Sequence, residues 1–228
     1  MSPTRNSKAE TRAPLSRERV LTAAMKLADE SGIEALSMRK LAQALGVEAM
    51  SLYNHVDNKD DVLDGIVDIV ISQIDLPEVG KDWRSAMRQR ATSAYSTMLR
   101  HPWASLLIVS RINVGPAMLR YVDATIGCLR EAGFSFEQAD RAWNFIDSHI
   151  YGFALQQQHF PIEPSDYSSA AEAFLPMLPV DRYPYLHALS RQVIDGHHDG
   201  VQDFEFGLEL ILDGLERIRT QRPKGSGR

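Results

Sequence analysis

This 228-residue sequence predicts an all-α protein: an N-terminal three-helix head containing a helix-turn-helix, followed by a larger helical body. Three observations carry the prediction. Apolar residues recur at three- and four-residue intervals in segment after segment, and almost no segment alternates with a period of two. The stretch SMRKLAQALGVEAMSLYNHVDNK, Ser37 to Lys59, reads as two short helices around a turn at Gly46. Leu76-Pro77 and Gly80 then interrupt the chain after a long apolar helix. The expected layout is a basic tail over 1–14, a head over 15–60, a body over 61–220 and a short tail over 221–228. The two ends are expected to be flexible or disordered.

Each element has a sequence reason. Val20, Ala23, Ala24, Leu27 and Ala28 repeat at helical spacing, so the first helix should run from near Ser16 to Gly32. Ser37 stands at an N-cap position, and Met38 to Leu45 contain neither Gly nor Pro. Gly46 supplies the left-handed residue that ends this helix. The second helix of the pair, about Ala49 to His55, is too short to stand alone and must be packed on its neighbours. Asn58 should cap a connector helix over about 59–74, whose Val62, Leu63, Ile66, Val67, Ile69, Val70 and Ile71 cover more than one face. Such a helix is buried on two sides, between head and body.

In the body, Asp82 should cap a helix from Trp83 to Arg100, and Pro102 should open a short one ending before Asn113. Gly115-Pro116 opens another that ends at Gly133. Ser135 with Gln138 forms a capping box for a long helix to about His159. A Pro-rich connection follows, with helical pieces at about 166–177 and 184–195, and a last helix spans about 202–219.

Composition narrows the function. The single Cys128 rules out a disulfide framework within the chain and fits a reducing cytoplasm. No apolar run approaches the ~20 residues of a membrane helix, and the N-terminus has no signal-like apolar core, so no membrane partner is expected. Net charge is -5, but residues 1–59 hold nine Lys/Arg against seven Asp/Glu, and the remainder sixteen against twenty-three. A mildly basic head on an acidic body directs nucleic acid to one end. Arg5, Lys8 and Arg12 in the tail suit a minor groove or backbone contact.

The helix pair gives the chemistry. Ser51, Tyr53, Asn54 and His55 make a polar face on the second helix. Asn pairs bidentately with adenine and Ser reads bases flexibly. Asn54, Ser51 and Arg39 are therefore the base-reading candidates, with Tyr53, His55 and Lys59 on phosphates. Ser37 completes the set at the start of the first helix. An ordinary helical hairpin has the same bare pattern, so the motif gains meaning from its surroundings.

Those surroundings are specific. Ser37 to Lys59 resembles the DNA-binding segment of the tetracycline-repressor (TetR) family. The resemblance rests on Met38-Arg39-Lys40-Leu41-Ala42, Leu45-Gly46-Val47, Leu52-Tyr53, His55-Val56 and Asn58-Lys59. It extends upstream through Arg19-Val20-Leu21, Ala23-Ala24, Leu27-Ala28 and Gly32, covering about sixty residues. The resemblance implies an all-helical homodimer that binds a palindromic site in double-stranded DNA and represses transcription until a small molecule binds the body.

Two long body helices are the dimer candidates: Phe145, Ser148, Gly152 and Leu155 form one stripe, and Gly207, Ile211 and Gly214 another. Two helices from each chain would build the four-helix bundle that the resemblance implies. Two-fold symmetry would double a DNA site too short for one recognition helix. Trp103, Met118, Tyr121, Trp143, His149, Phe153 and Gln157 are the candidates for a ligand pocket, expected to take an apolar or aromatic inducer. Each of them is equally a plain core residue.

No cofactor and no metal are expected. The tetracycline repressors hold a drug–magnesium chelate partly through histidines, and this chain has none between His55 and His101. His197-His198 reads as a solvated loop. No P-loop, Gly-rich dinucleotide turn, metal-spaced cluster or nucleophile elbow is present, which argues against an enzyme. Two readings stay open: a ligand-responsive regulator, and a constitutive or architectural DNA binder with a filled body.

Overall fold

Five caps set the helix starts. The Ser16, Ser37, Asn58, Asp82 and Ser135 side chains each accept a backbone N–H from three residues downstream. Each satisfies one of the amides that a helix N-terminus leaves unpaired. In the computed structural model, which describes residues 14–201 and 203–220, these caps open α1 (Arg17–Ser31), α2 (Met38–Leu45), α4 (Lys59–Ile71), α5 (Trp83–Arg100) and α8 (Phe136–His159). The others are α3 (Ala49–Leu52), α6 (Ala104–Ser110), α7 (Pro116–Glu131), α9 (Tyr167–Phe174), α10 (Pro184–Ile194) and α11 (Phe204–Thr220). The described residues are all-helical and contain no strand. The basic tail before Pro14 and the residues after Thr220 lie outside the described residues.

The turn between α2 and α3 follows from Gly46. Its φ of 66° and ψ of 39° are left-handed. That conformation lets Gly46 N–H reach Gln43 O at 3.1 Å and Val47 N–H reach Ala42 O at 3.0 Å, the paired bonds that satisfy a helix's last carbonyls. α3 is shorter than its sequence suggested. After Leu52 the chain tightens through Tyr53 N–H to Met50 O and His55 N–H to Leu52 O. Tyr53–His55 therefore form a turn rather than a further helical turn.

α4 is buried along two stripes, Val62/Ile66/Val70 and Leu63/Val67/Ile71. It packs on α1 towards the head and on α6 and α7 towards the body. α8, 24 residues long, is the body's axis and packs against α5, α6, α7 and α11. α9 and α10 pack on each other, and neither contains a fully buried residue.

Candidate nucleic-acid interface and ligand cleft

On the head, Leu41, Ala42, Leu52 and Val56 face inward, which forces the remaining positions of α2 and the α3 turn outward. Arg39, Tyr53, Asn54 and Lys59 are exposed, and Ser37, Ser51 and His55 are half-buried. Ser37 also spends its hydroxyl on the Lys40 amide at 3.2 Å. His55 is held from behind, its carbonyl accepting from Arg17 Nη1 at 3.3 Å. Like Tyr53 and Asn54 in the turn that follows it, Met50 on α3 is exposed, at 75%. Sequence reasoning passed over it. An exposed apolar side chain beside an exposed Asn has the chemistry to meet a thymine methyl group. Lys40, also exposed, is a further cation on this surface.

Arg17 fixes the head's geometry. Its guanidinium forks onto Asp61, with Nη2 to Oδ1 at 2.6 Å and Nη1 to Oδ2 at 2.7 Å, tying α1 to the first turn of α4. The Arg17 hydrogen bond holds the Asp61 carboxyl below the usual carboxylate range.

The body holds a buried polar cluster that the sequence reading missed. Arg90 on α5 is completely buried. It pairs with Asp147 Oδ1 on α8 and donates to Tyr121 Oη on α7 at 2.5 Å. Tyr121 Oη–H donates to Asp147 Oδ1 at 3.1 Å, while Oδ2 accepts from Trp143 Nε1 at 2.7 Å and from Tyr151 Oη–H at 3.2 Å. Burial opposes the charge on Arg90, and the Asp147 carboxylate more than restores it. Burial also pushes both tyrosine hydroxyls well above their ordinary range, so they stay protonated donors.

Above this cluster lies a cleft of about 310 Å³ between α6, α7 and α8, walled by Ile108, Asn113, Met118, Trp143, Asp147 and Tyr151 among others. Of the pocket candidates, Met118 and Trp143 line it and Tyr121 sits beneath it. The other four do not join them. Phe153 and Gln157 line a separate cleft of about 230 Å³ with Tyr95 and Phe204. His149 stacks on Phe204 at 4.8 Å, and its ring Nε2 lies 2.9 Å from the Phe204 carbonyl. Helical phase explains the split: six residues at about 100° each place His149 roughly 120° around α8 from Trp143. Trp103 is elsewhere again, its Nε1 donating to Asp29 Oδ1 on α1 at 2.7 Å. The expectation of one pocket holding Trp143, His149 and Phe153 together is therefore corrected.

The cleft's wall is also the connector's grip. Asn113 lies in the turn between α6 and α7. On its head side, Arg111 pairs with Asp60 and Asp64 of α4 at 3.0 and 2.8 Å. Just beyond, Asp68 Oδ1 of the same helix accepts from Ala117 N–H at 2.9 Å and Met118 N–H at 3.0 Å. It thereby caps α7 from outside. Gly115 is required there: a Cβ at that position would stand 2.2 Å from Asp68 Oδ1.

Of the dimer candidates, Phe145, Ser148 and Gly152 are exposed on α8, and Leu155 is half-buried. Ile211 and Gly214 are half-buried on α11, and nothing lies within 4 Å of a Cβ added at Gly214. Gly207 turns inward: a Cβ there would meet His149 Cε1 at 2.5 Å, so its close approach is within the chain. The exposed large residues of α11 are Phe206, Leu210 and Ile218. His198 Nδ1 lies 3.7 Å from Asp199 in the turn after α10, and no group of three metal-ligating side chains occurs among the described residues. No helix among them is long and apolar enough to cross a membrane.

A helix-turn-helix head joined by a two-sided connector to a helical body that contains a cleft defines a DNA-binding regulator. The comparisons are specific about which kind. Residues 20–66 match the family model of bacterial regulatory proteins of the tetR family, and residues 76–219 match the tetracyclin repressor-like C-terminal domain. The chain is 34% identical to the class D tetracycline repressor protein of Escherichia coli over 90% of each protein. It is 32% identical to the transcriptional repressor DrrR1 of Streptomyces coeruleorubidus, over 91% of this chain and 80% of that one. The TetR family protein ActR of Streptomyces coelicolor, in complex with actinorhodin, superposes with a TM-score of 0.78 at 29% identity. That match covers 92% of this chain and all of ActR. The chain belongs to the TetR family of transcriptional regulators.

Proposed function

We propose that the protein is a dimeric repressor that binds a palindromic DNA operator through α2 and the α3 turn. A small molecule in the cleft beneath α6 and α7 releases it. The observation that carries this reading is that the turn between α6 and α7 lines the cleft with Asn113 and, through the nearby Arg111, holds α4, the helix on which the head is mounted. Ligand-bound ActR and the repressor relatives support it. The pairing surface is the exposed Phe145, Ser148 and Gly152 on α8 with the exposed Phe206 and Leu210 and the half-buried Gly214 on α11. The domain division follows the same logic: head to about residue 60, body from 61, with α4 as the mechanical link.

Release works through spacing. Recognition segments of a dimer enter successive major grooves about 34–36 Å apart. A ligand that favours another spacing lowers DNA affinity by its differential affinity for the two states, and DNA lowers ligand affinity by the same factor. The test uses the full chain and an operator selected from random DNA. Asn54→Ala should lower the operator-to-scrambled affinity ratio by about 1–3 kcal/mol, while Lys59→Ala should weaken both DNAs alike. Sedimentation should show a dimer at micromolar concentration, shifted towards monomer by Gly214→Leu. A constitutive DNA binder is the outcome if no molecule that occupies the cleft changes operator affinity.

A further inference from the structure

We propose that the cleft takes a neutral, flat aromatic molecule bearing an O–H or N–H donor, and that the Asn113 side-chain oxygen is the acceptor that selects it. The proposal rests on the ligand-responsive reading of this cleft and goes further by assigning the ligand's chemistry.

Formal charge is excluded from both sides. The only charged residue lining the cleft is Asp147, and it faces inward to Arg90, which is wholly buried. A ligand anion therefore meets the carboxylate before the guanidinium and finds no cation to pair with. A ligand cation fares no better, because both Asp147 oxygens are already taken by the donors from Arg90, Tyr121, Trp143 and Tyr151. A charged group brought into this apolar-walled site thus loses its water without gaining a partner.

Three uncharged amide or hydroxyl side chains also line the cleft, Asn113, Asn144 and Ser148. Asn144 and Ser148 are exposed, and Asn113 is the one with a buried atom left unpartnered. Asn113 Nδ2 donates to Ile108 O at 2.9 Å and Arg111 O at 3.1 Å, closing the end of α6. Those two carbonyls fix the amide's orientation, since a flipped amide would set oxygen against oxygen. Asn113 Oδ1 is left buried with no hydrogen-bond partner. Asn113 lines the cleft, so a ligand donor seated there and reaching the amide would satisfy this oxygen and tie the ligand to the α6–α7 turn. That same turn holds α4. Trp143 and Tyr151 supply the flat aromatic wall, with Met118 and Ile108 opposite.

Calorimetry on the full chain without DNA tests the assignment with three probes of one shape: 2-naphthol, 2-methoxynaphthalene and 2-naphthoate. The expected order is naphthol tightest, the methoxy analogue about tenfold weaker for want of the one donor, and no binding by naphthoate at millimolar concentration. Asn113→Ala should bring the first two together by weakening naphthol alone. If that variant fails to fold, the wild-type ranking still decides. Equal affinity for naphthol and its methyl ether, tighter binding of naphthoate, or no binding by naphthol overturns the proposal. Operator affinity measured with naphthol present is a separate readout. The expected probe order without any change in DNA binding keeps the cleft chemistry and overturns the regulatory reading alone.

Discussion

The body holds the head at two places, and they are built on opposite principles. At one, α1 presents a single carboxylate, Asp29, whose Oδ1 accepts from Trp103 Nε1 at 2.7 Å and lies 2.8 Å from His101 Nδ1. Both partners are nearly buried, at 6% and 7% exposure. At the other, α4 presents Asp60, Asp64 and Asp68 at four-residue spacing, and the α6–α7 segment holds all three through Arg111 and the first amides of α7. Asp60 and Asp64 keep 73% and 53% of their side-chain surface in water. A contact whose donors are buried is costly to break even though Asp29 keeps 31% of its side-chain surface in water, whereas a row of more hydrated pairs yields a piece at a time. The Asp29 joint is suited to be the pivot and the α4 row to be the lever. α6 runs between them, with the cleft against its side.

The largest effect is expected at the pivot. Asp29→Ala leaves the buried Trp103 Nε1–H without an acceptor, a loss of about 1–3 kcal/mol. Urea unfolding should show it as a lower midpoint with an unchanged slope. A cost no larger than that of Arg111→Ala would erase the distinction between the joints. Asp68→Ala comes next. It uncaps α7, whose own N-cap, Gly115, has no side chain, at about 0.5–2 kcal/mol. Amide exchange should quicken at Ala117 and Met118 while α1 stays protected. Faster exchange throughout α1 would mean that the two joints are one unit.

These joints also mark what could be read from the sequence. The caps were local and legible: Ser16, Ser37, Asn58, Asp82 and Ser135 each act within one helical turn of their own position. The head's inward residues were legible too, since Leu41, Leu45, Leu52 and Val56 follow helical spacing. The body's chemistry was not, because its partners are far apart in sequence. Arg90 and Asp147 are 57 residues apart, and Trp103 and Asp29 are 74 apart, and neither pair leaves a local pattern. The separation of Trp143 from His149 and Phe153 did leave one. Positions 143, 147 and 151 share one face of α8 and 149, 153 and 157 another, and counting the helical phase separates them. The length of α3 was hidden because propensity does not register the tight bonds after Leu52.

A smaller effect should come from Arg111→Ala. The exposed pairs it removes contribute about 0.2–1 kcal/mol each at most. The difference from wild type should shrink between low salt and 1 M salt, where screening acts within about 3 Å. A salt-independent loss would place Arg111 with the buried joint instead.

The smallest expected effect asks whether pivot and lever move as one body inside the head. α1 carries the pivot's Asp29 near its C-terminus and α4 the lever's three carboxylates, and the Arg17–Asp61 fork joins the first turn of α1 to the first turn of α4. Arg17 is nearly half exposed, so screening limits Arg17→Met to a few tenths of a kcal/mol, about 0.5. Its pH dependence identifies it. The folded Asp61 carboxyl titrates below its ordinary value of 3.8, chiefly because of the Arg17 hydrogen bond. A depressed carboxylate stabilises the fold above its unfolded value, and that contribution disappears as pH falls through the folded value. Wild type should therefore exceed Arg17→Met in urea stability at pH 6, and the two should converge as the pH is taken below 3.8. The other acidic groups titrate in both proteins and cancel in the difference. If the gap persists in acid, Arg17 acts through its packing on the head rather than through Asp61. The rigid coupling of α1 to α4 would then have to rest on the Leu21–Gly65 contact, where a Cβ at Gly65 would come within 2.6 Å of Leu21.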